Sequence, residues 1–276
     1  MVSINNTAAN SFVLASLRQT NADITTSQTR IGTGYKINGS SDNAALWSIA
    51  QSLRSDIKAA DTLTANVSIS KSRADVGVAA LNKVSDLLTK MQEVSDATDA
   101  AATGAELTAA TNKIKSYQAQ ITSLLTGAVV KGKNILTNST ADEKVIIGKD
   151  AAAANIELTY AKVDVSVSTT DLGKAVAGAT TLVADVKAIS GLAATAMSYV
   201  QGVQANLSSY SEGLDTQLSF QSSLNTIKAN ALSGIVDTDM EAESAKLTAL
   251  QVKQQLAYQA LAIGNSSVQN VLMLFR

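Results

Sequence analysis

The amino-acid sequence predicts a mainly α protein: long antiparallel helices forming a coiled-coil rod from both chain ends, with a small β-hairpin region in the middle. Three observations carry this expectation. The 276 residues include no Pro, the residue that breaks helix interiors by removing a donor and clashing with the preceding turn. Apolar residues near both ends recur in alternating steps of three and four, the pattern of a helix that packs along one seam. Between about 137 and 181 that pattern gives way to alternation at period two, which reads as short strands.

The first seam runs through Asn10, Leu14, Leu17, Asn21, Ile24, Gln28 and Ile31, with Asn21 and Gln28 as polar interruptions. Gly32 and Gly34 end it, because two glycines within three residues mark a break. A connector follows at 34–47, in which Ser40, Ser41 or Asp42 offers a cap for the next helix. A second seam runs Leu46, Ala50, Leu53, Ile57, Ala60, Thr64, Val67, Lys71, Ala74, Val78, Leu81, Ser85 and Leu88, beside a row containing Leu63, Val76, Ala80, Leu87, Met91 and Val94. Two apolar rows imply a helix with more than one neighbour. A shorter pattern through Leu107, Ile114, Ile121 and Leu124 or Leu125 reads as a returning helix.

The stretches KVIIG and NIELTYAKVDVSVST supply the alternating β region. From Leu182 a heptad then persists through Val186, Ile189, Ala193, Ala196, Val200, Val203, Leu207, Tyr210 and Leu214 to Ile235. Gly191, Gly202 and Gly213 recur along it, either as tolerated helix glycines or as points of close backbone approach. The last segment carries Met240, Leu247, Leu250, Ala257, Leu261, Gly264, Val268, Val271 and Phe275 on one seam, and Ala245, Ala249, Val252, Leu256 and Ile263 on another face. Such a multi-sided apolar helix at a chain end needs partners on two faces.

Composition excludes several function classes. With no His and no Cys, the chain has no imidazole base, no thiolate and no soft zinc site, and carboxylate pairs are the remaining acid–base option. No disulfide can form. A net charge of −1 supplies no field toward nucleic acid or an anionic membrane, and no apolar run approaches a bilayer span. The opening MVSINNTAANSFVLASLRQ lacks a basic n-region and an unbroken apolar core, so an exported chain is expected to use a route without a cleaved signal. Gly32-x-Gly34 lacks the third glycine of a dinucleotide fingerprint and reads as a turn. Asp237, Asp239, Glu241 and Glu243 at the start of a helix complement its dipole rather than a metal ion. Asn-x-Ser/Thr triplets such as Asn66-Val67-Ser68 are expected by chance, and exposed Ser or Thr of 138–172 are candidates for O-linked glycans.

Both ends resemble one family. The segment TRIGTGYKINGSSDNAALWSIA (29–50) resembles the connector of bacterial flagellins, R-L-S-S-G-x-R-I-N-S-A-x-D-D-A-A-G-L-A-I-A. Arg30, Gly34, Ile37, Asn38, Asp42, Ala44, Ala45, Ile49 and Ala50 match it. The tail from Asp239 is similar to the family's carboxyl end through Glu243, Gln251, Gln255, Gln269-Asn270-Val271-Leu272 and Arg276, and the opening Ile4-Asn5-Asn6 fits as well. Asn43 departs from the second Asp of the motif, and Leu46-Trp47 replaces Gly-Leu; the Trp form resembles alphaproteobacterial flagellins.

The resemblance implies a secreted structural subunit of the extracellular flagellum, without enzymatic activity or cofactor. Residues 1–33 and 236–276 would form an inner coiled coil lining a filament channel. Residues 48–136 and 182–235 would form an outer helical region, and 137–181 a short variable β region. Leu14, Leu17, Ile24, Ile31, Leu247, Leu250, Leu256, Leu261, Val268, Val271 and Phe275 would serve self-assembly. Implied partners are further copies of the chain, the flagellar type III export apparatus and a chaperone, and hook-associated and cap proteins. A hook–filament junction protein and a flagellin-like adhesin are the alternatives. The free subunit is expected to order its ends only as copies assemble. Leu88-Thr-Lys90-Met-Gln-Glu93-Val94 resembles the segment of flagellins that contacts a Toll-like innate immune receptor, with an acidic family position falling near Lys113. Lys90 replaces an Arg, losing planar bidentate donation, and Val94 shortens a Leu, so recognition is expected to be weak.

Overall fold

The computed structural model describes residues 8–98, 102, 104–138, 142–149, 154–161, 163–165 and 183–273. It is mainly α: helices α1 (Ala8–Thr33), α2 (Ala44–Asp96), α3 (Ala105–Gly127), α4 (Val183–Val236) and α5 (Met240–Met273), with six short strands between α3 and α4 in chain order. The chain divides into two compact units, residues 58–225 and the two ends together, 1–57 with 226–276.

The unit formed by 58–225 has a continuous core. Along α4 the residues Val186, Ile189, Ala193, Ala196, Val200, Val203, Leu207, Tyr210 and Leu214 are all buried, so the heptad read from the sequence is the buried stripe. It meets Val67, Ala74, Leu81, Leu88 and Met91 of α2 and Leu107, Ile114, Ile121 and Leu125 of α3 in one cluster. Each fully buried large aliphatic contributes roughly 1.5–3 kcal/mol, so this unit carries its own stability. Between α2 and α4, the Ser211 hydroxyl donates to Asp75 Oδ1 at 2.6 Å and holds that carboxyl below its ordinary range.

The β region is three two-stranded antiparallel ribbons. It begins earlier than 137: β1 (Val129–Val130) pairs with β2 (Lys133–Asn134). The two residues between them, Lys131 (φ 49°) and Gly132 (φ 75°), both take positive φ, the geometry of a two-residue hairpin turn. Lys-Gly with two-residue arms is too short to show a period, so the sequence assigned it to the helical region. β3 (Thr137–Asn138) pairs with β6 (Val163–Asp164), and β4 (Glu143–Lys149) with β5 (Asn155–Tyr160), with an irregularity between Ile146 and Gly148. Residues 166–182, where the sequence continued the alternation and began the heptad at Leu182, lie outside the described residues.

Side chains fasten these ribbons to the helices. Gln217 and Gln221 donate through Nε2 to the Ile147 carbonyl at 3.0 and 2.7 Å. Arg73 of α2 donates to Glu143 Oε1 at 2.6 Å, and Lys133 lies 3.4 Å from Glu143 Oε2. The rings of Tyr160 and Tyr210 pack 5.2 Å apart. Burial pushes both hydroxyls up to about 12.

The recurrent glycines Gly191 and Gly202 have open space where a Cβ would stand, and Gly213 meets only Leu158 at 3.7 Å. They are tolerated helix glycines. The close approach is at Gly77, where a Cβ would lie 2.6 Å from Leu207 Cδ2 and 3.0 Å from Ile135 Cγ2. Overpacking of this kind costs about 1–3 kcal/mol, partly offset by up to about 1 kcal/mol of helix propensity. Gly77→Ala is therefore expected to lower the thermal midpoint of this unit, whereas Gly191→Ala leaves it unchanged or raises it. Circular dichroism melts of the two variants check the contrast.

Candidate assembly interface

The second unit is built from the chain ends and has a different interior. α1 and α5 pack against each other and run antiparallel: Gln254 Nε2 donates to Asn21 Oδ1 at 2.6 Å, and Ser27 Oγ to Glu243 Oε1 at 2.6 Å. Among the described residues the most buried positions of this pair are Thr20 (1% exposed), Ser27 (0%) and Glu243. Small hydroxyl side chains let the backbones come close, and Thr20 satisfies its own hydroxyl on the Ser16 carbonyl at 2.9 Å.

Glu243 is the electrostatic centre of this seam. The Ser27 hydroxyl, with Lys246 Nζ at 3.5 Å and Arg30 Nη1 at 3.9 Å, holds its carboxyl below the ordinary carboxylate range against the opposing effect of burial. The sequence places Glu243 among four carboxylates that complement a helix dipole, and Glu243 does stand in the first turn of α5 with Glu241. Asp239 adds the cap, its Oδ1 accepting the N–H groups of Glu241 and Ala242 at 3.0 and 3.1 Å. The readable signal for the Ser27 contact was the seven-residue spacing of Thr20 and Ser27, two hydroxyls where a heptad would place apolar residues.

The apolar residues assigned to assembly flank this polar seam. Leu17, Ile24, Ile31, Leu247, Leu250 and Leu261 are half-buried, and Leu14 is exposed. Phe12 (76%), Leu256 (58%) and Ile263 (71%) are still more open, and Val252 and Tyr258 are exposed beside them. Phe275 and the side chains of Val268 and Val271 lie outside the described residues. None of the described ones belongs to the buried apolar cluster, whose members all fall within 58–225. In a single copy the pair of helices therefore leaves a broad apolar surface open.

The connector is held by the chain's own carboxyl half. α1 continues through Gly32, and Gly34 (φ 75°) ends it by donating to the Arg30 carbonyl at 2.8 Å. Tyr35 bridges Asp237, Lys36 N donates to the Val236 carbonyl at 2.7 Å, and Thr238 N to the Gly34 carbonyl at 2.9 Å. Ile37 is buried. Of the three caps offered by the sequence, none serves. Asn43 caps α2, its Oδ1 accepting from Leu46 N at 3.0 Å. Asp42 instead accepts from the N–H groups of Asn38 and Gly39 at 2.8 and 3.2 Å. The departure from the family motif at Asn43 is thus benign, since Asn and Asp cap helices equally well. Ala44 and Ala45 stand exposed in the first turn of α2, whose start shortens the expected 34–47 connector.

In the unit 58–225, Lys90 and Glu93 are exposed on α2, and Val94 is half-buried. Val94 and Lys113 line one recess of about 510 Å³ with Thr98, Ala102, Glu106 and Ala110, and Lys90 and Glu93 are not part of its lining. Among the described residues no cluster of three or more acidic side chains stands ready for a metal ion, and no helix is long and apolar enough to cross a membrane.

Residues 4–141 match the family model described as the bacterial flagellin N-terminal helical region, and 190–275 match the bacterial flagellin C-terminal helical region. A flagellin of Brucella melitensis is 35% identical over 275 residues, covering 95% of each chain. Flagellin FljK of Caulobacter vibrioides is 33% identical over 275 residues, covering 99% of this chain and 98% of the relative. Among solved structures, a putative flagellar hook-associated protein from Vibrio parahaemolyticus has the same fold, with a TM-score of 0.60 at 13% identity, covering 71% of this chain and all of that one.

Proposed function

The chain belongs to the bacterial flagellin family and is a structural subunit of the flagellar filament; from this premise we propose that α1 and α5 are the polymerising element and that 58–225 is a self-sufficient body with its own core. The supporting observation is the contrast between the two interiors. Residues 58–225 bury one continuous apolar cluster, whereas the paired ends bury Thr20, Ser27 and Glu243 and leave Phe12, Leu256 and Ile263 open. Stacking copies is the cover that supplies the missing burial. Leu14, Leu17, Ile24, Ile31, Leu247, Leu250, Leu256 and Leu261 would face neighbouring subunits, with the connector Arg30, Gly34, Ile37, Asn38, Asp42, Ala44 and Ala45 fixing the angle of approach.

Such a subunit leaves the cell through the flagellar export apparatus, escorted by a chaperone, and ends extracellularly between hook-associated and cap proteins. Its task is mechanical rather than catalytic. The test is polymerisation of the purified full chain on filament seeds, followed by electron microscopy. Filaments are the expected result. A chain that stays monomeric while α1 and α5 give rigid backbone signals in solution overturns the proposal.

The Lys90, Glu93 and Val94 surface is a weakened receptor contact. Lys90→Arg with Val94→Leu is expected to raise signalling in a receptor reporter assay by about tenfold, the effect of one recovered charge-assisted contact. An unchanged dose response would remove this segment from the contact.

A further inference from the structure

The sequence contains one Asn-Gly step, Asn38-Gly39, and it lies in the connector. We propose that this step is a latent site of spontaneous backbone modification, with Asp42 as the group that restrains it. The chemistry needs no second protein. The Gly39 amide nitrogen attacks the Asn38 side-chain carbonyl carbon and gives up its proton, and ammonia leaves with the former side-chain nitrogen. A five-membered imide remains. Water opens that ring to an aspartate or, when it cleaves the other imide bond, to an isoaspartate with an extra methylene in the main chain. Glycine favours the attack because no Cβ obstructs the approach and its backbone is free to turn.

Three observations place the step under restraint here. Gly39 N–H, the attacking group, donates to Asp42 Oδ2 at 3.2 Å, and Asn38 N–H donates to the same oxygen at 2.8 Å. The Asp42 amide donates back to the Gly39 carbonyl at 3.2 Å. The Asn38 side-chain amide is itself held, donating through Nδ2 to the Tyr35 carbonyl at 3.1 Å. Nucleophile and electrophile are thus anchored on different partners, and the carboxylate fixes the peptide between them. Asn38 is nonetheless exposed, so water reaches it once the anchors slip. The product places a second negative charge beside Asp42 and removes the donor to Tyr35. As isoaspartate it also lengthens the main chain just beyond the residues paired with Val236 and Thr238. Modification therefore loosens the connector in old protein.

The experiment ages the full chain at neutral pH and quantifies isoaspartate and ammonia loss at Asn38 by peptide mass mapping. Folded protein is expected to react at least about tenfold more slowly than the same chain in urea, matching the loss of one hydrogen bond to a charged acceptor. Asp42→Ala should recover most of the unfolded rate, and Asp42→Asn, which keeps a neutral acceptor, should fall between. Gly39→Ala should react least of all; a Cβ there meets only Ser41 Oγ at 3.6 Å, so the fold tolerates it. If Asp42→Ala loses helical circular dichroism, Asp42→Asn decides in its place. Equal rates for folded and unfolded chain, or variants at Asp42 no faster than the parent, overturn the proposal.

Discussion

A chain ending at Asp239 fails to polymerise while its 58–225 unit melts as it does in the full chain. The truncation removes α5, and with it Val252, Leu256, Tyr258 and Ile263, all exposed in a single copy. Covering the half to two-thirds of these four side chains still open is worth roughly 3–7 kcal/mol per subunit. Losing the lower figure raises the threshold concentration by about two orders of magnitude. The core of 58–225 is built from that unit's own residues, among them Leu81, Leu88, Ile114, Ile189 and Leu207. Sedimentation reads the first effect and calorimetry the second. Filaments from the truncated chain would sink the assignment of α5, and a collapse of both transitions would sink the independence of the two units.

The second large effect is at Glu243. Its carboxyl titrates lower when α1 and α5 are paired than when they are separated, chiefly because Ser27 donates to the charged form. A group with a depressed folded value adds stability that is fully present above its unfolded value and disappears as pH falls through the folded one. Assembled protein is therefore expected to hold at neutral pH and dissociate on acidification below the ordinary carboxylate range. Glu243→Ala removes the acceptor and strands the Ser27 hydroxyl, a loss of roughly 2 kcal/mol. That raises the threshold concentration about thirtyfold. Glu243→Gln keeps the shape and flattens the acid limb by about one proton. Pelleting assays across pH measure both; an acid limb of unchanged slope in the Gln variant would exclude Glu243 as the titrating group.

Most of the fold was legible in the sequence because burial writes a period into it. The α4 stripe from Val186 to Leu214 was read residue by residue, since a helix covered on one side must repeat its apolar positions. The α1–α5 seam was not, because its interior is Thr20, Ser27 and Glu243, residue types that any reading by hydropathy sends to the surface. The hairpin at 129–134 escaped because two-residue strands carry no period. The Asn43 cap was missed in favour of Ser40, Ser41 or Asp42, since all of these types cap helices and only the position of the backbone decides which side chain reaches the open N–H groups. Gly77 is identical in sequence terms to Gly191 and Gly202; what sets it apart is Leu207, 130 positions away.

The hydroxyl-lined seam of α1 and α5 also governs how the molecule comes apart. A contact zone whose most buried described residues are Thr20, Ser27 and a single carboxylate releases less free energy when a lone copy closes it than an apolar core does, so α1 and α5 are expected to part before the 58–225 core opens. The apolar cluster of 58–225 resists far more. When such a chain is drawn through a narrow opening from either tip, entry is easy, and the work is done later, in prising Leu81, Ile114 and Leu207 from one another.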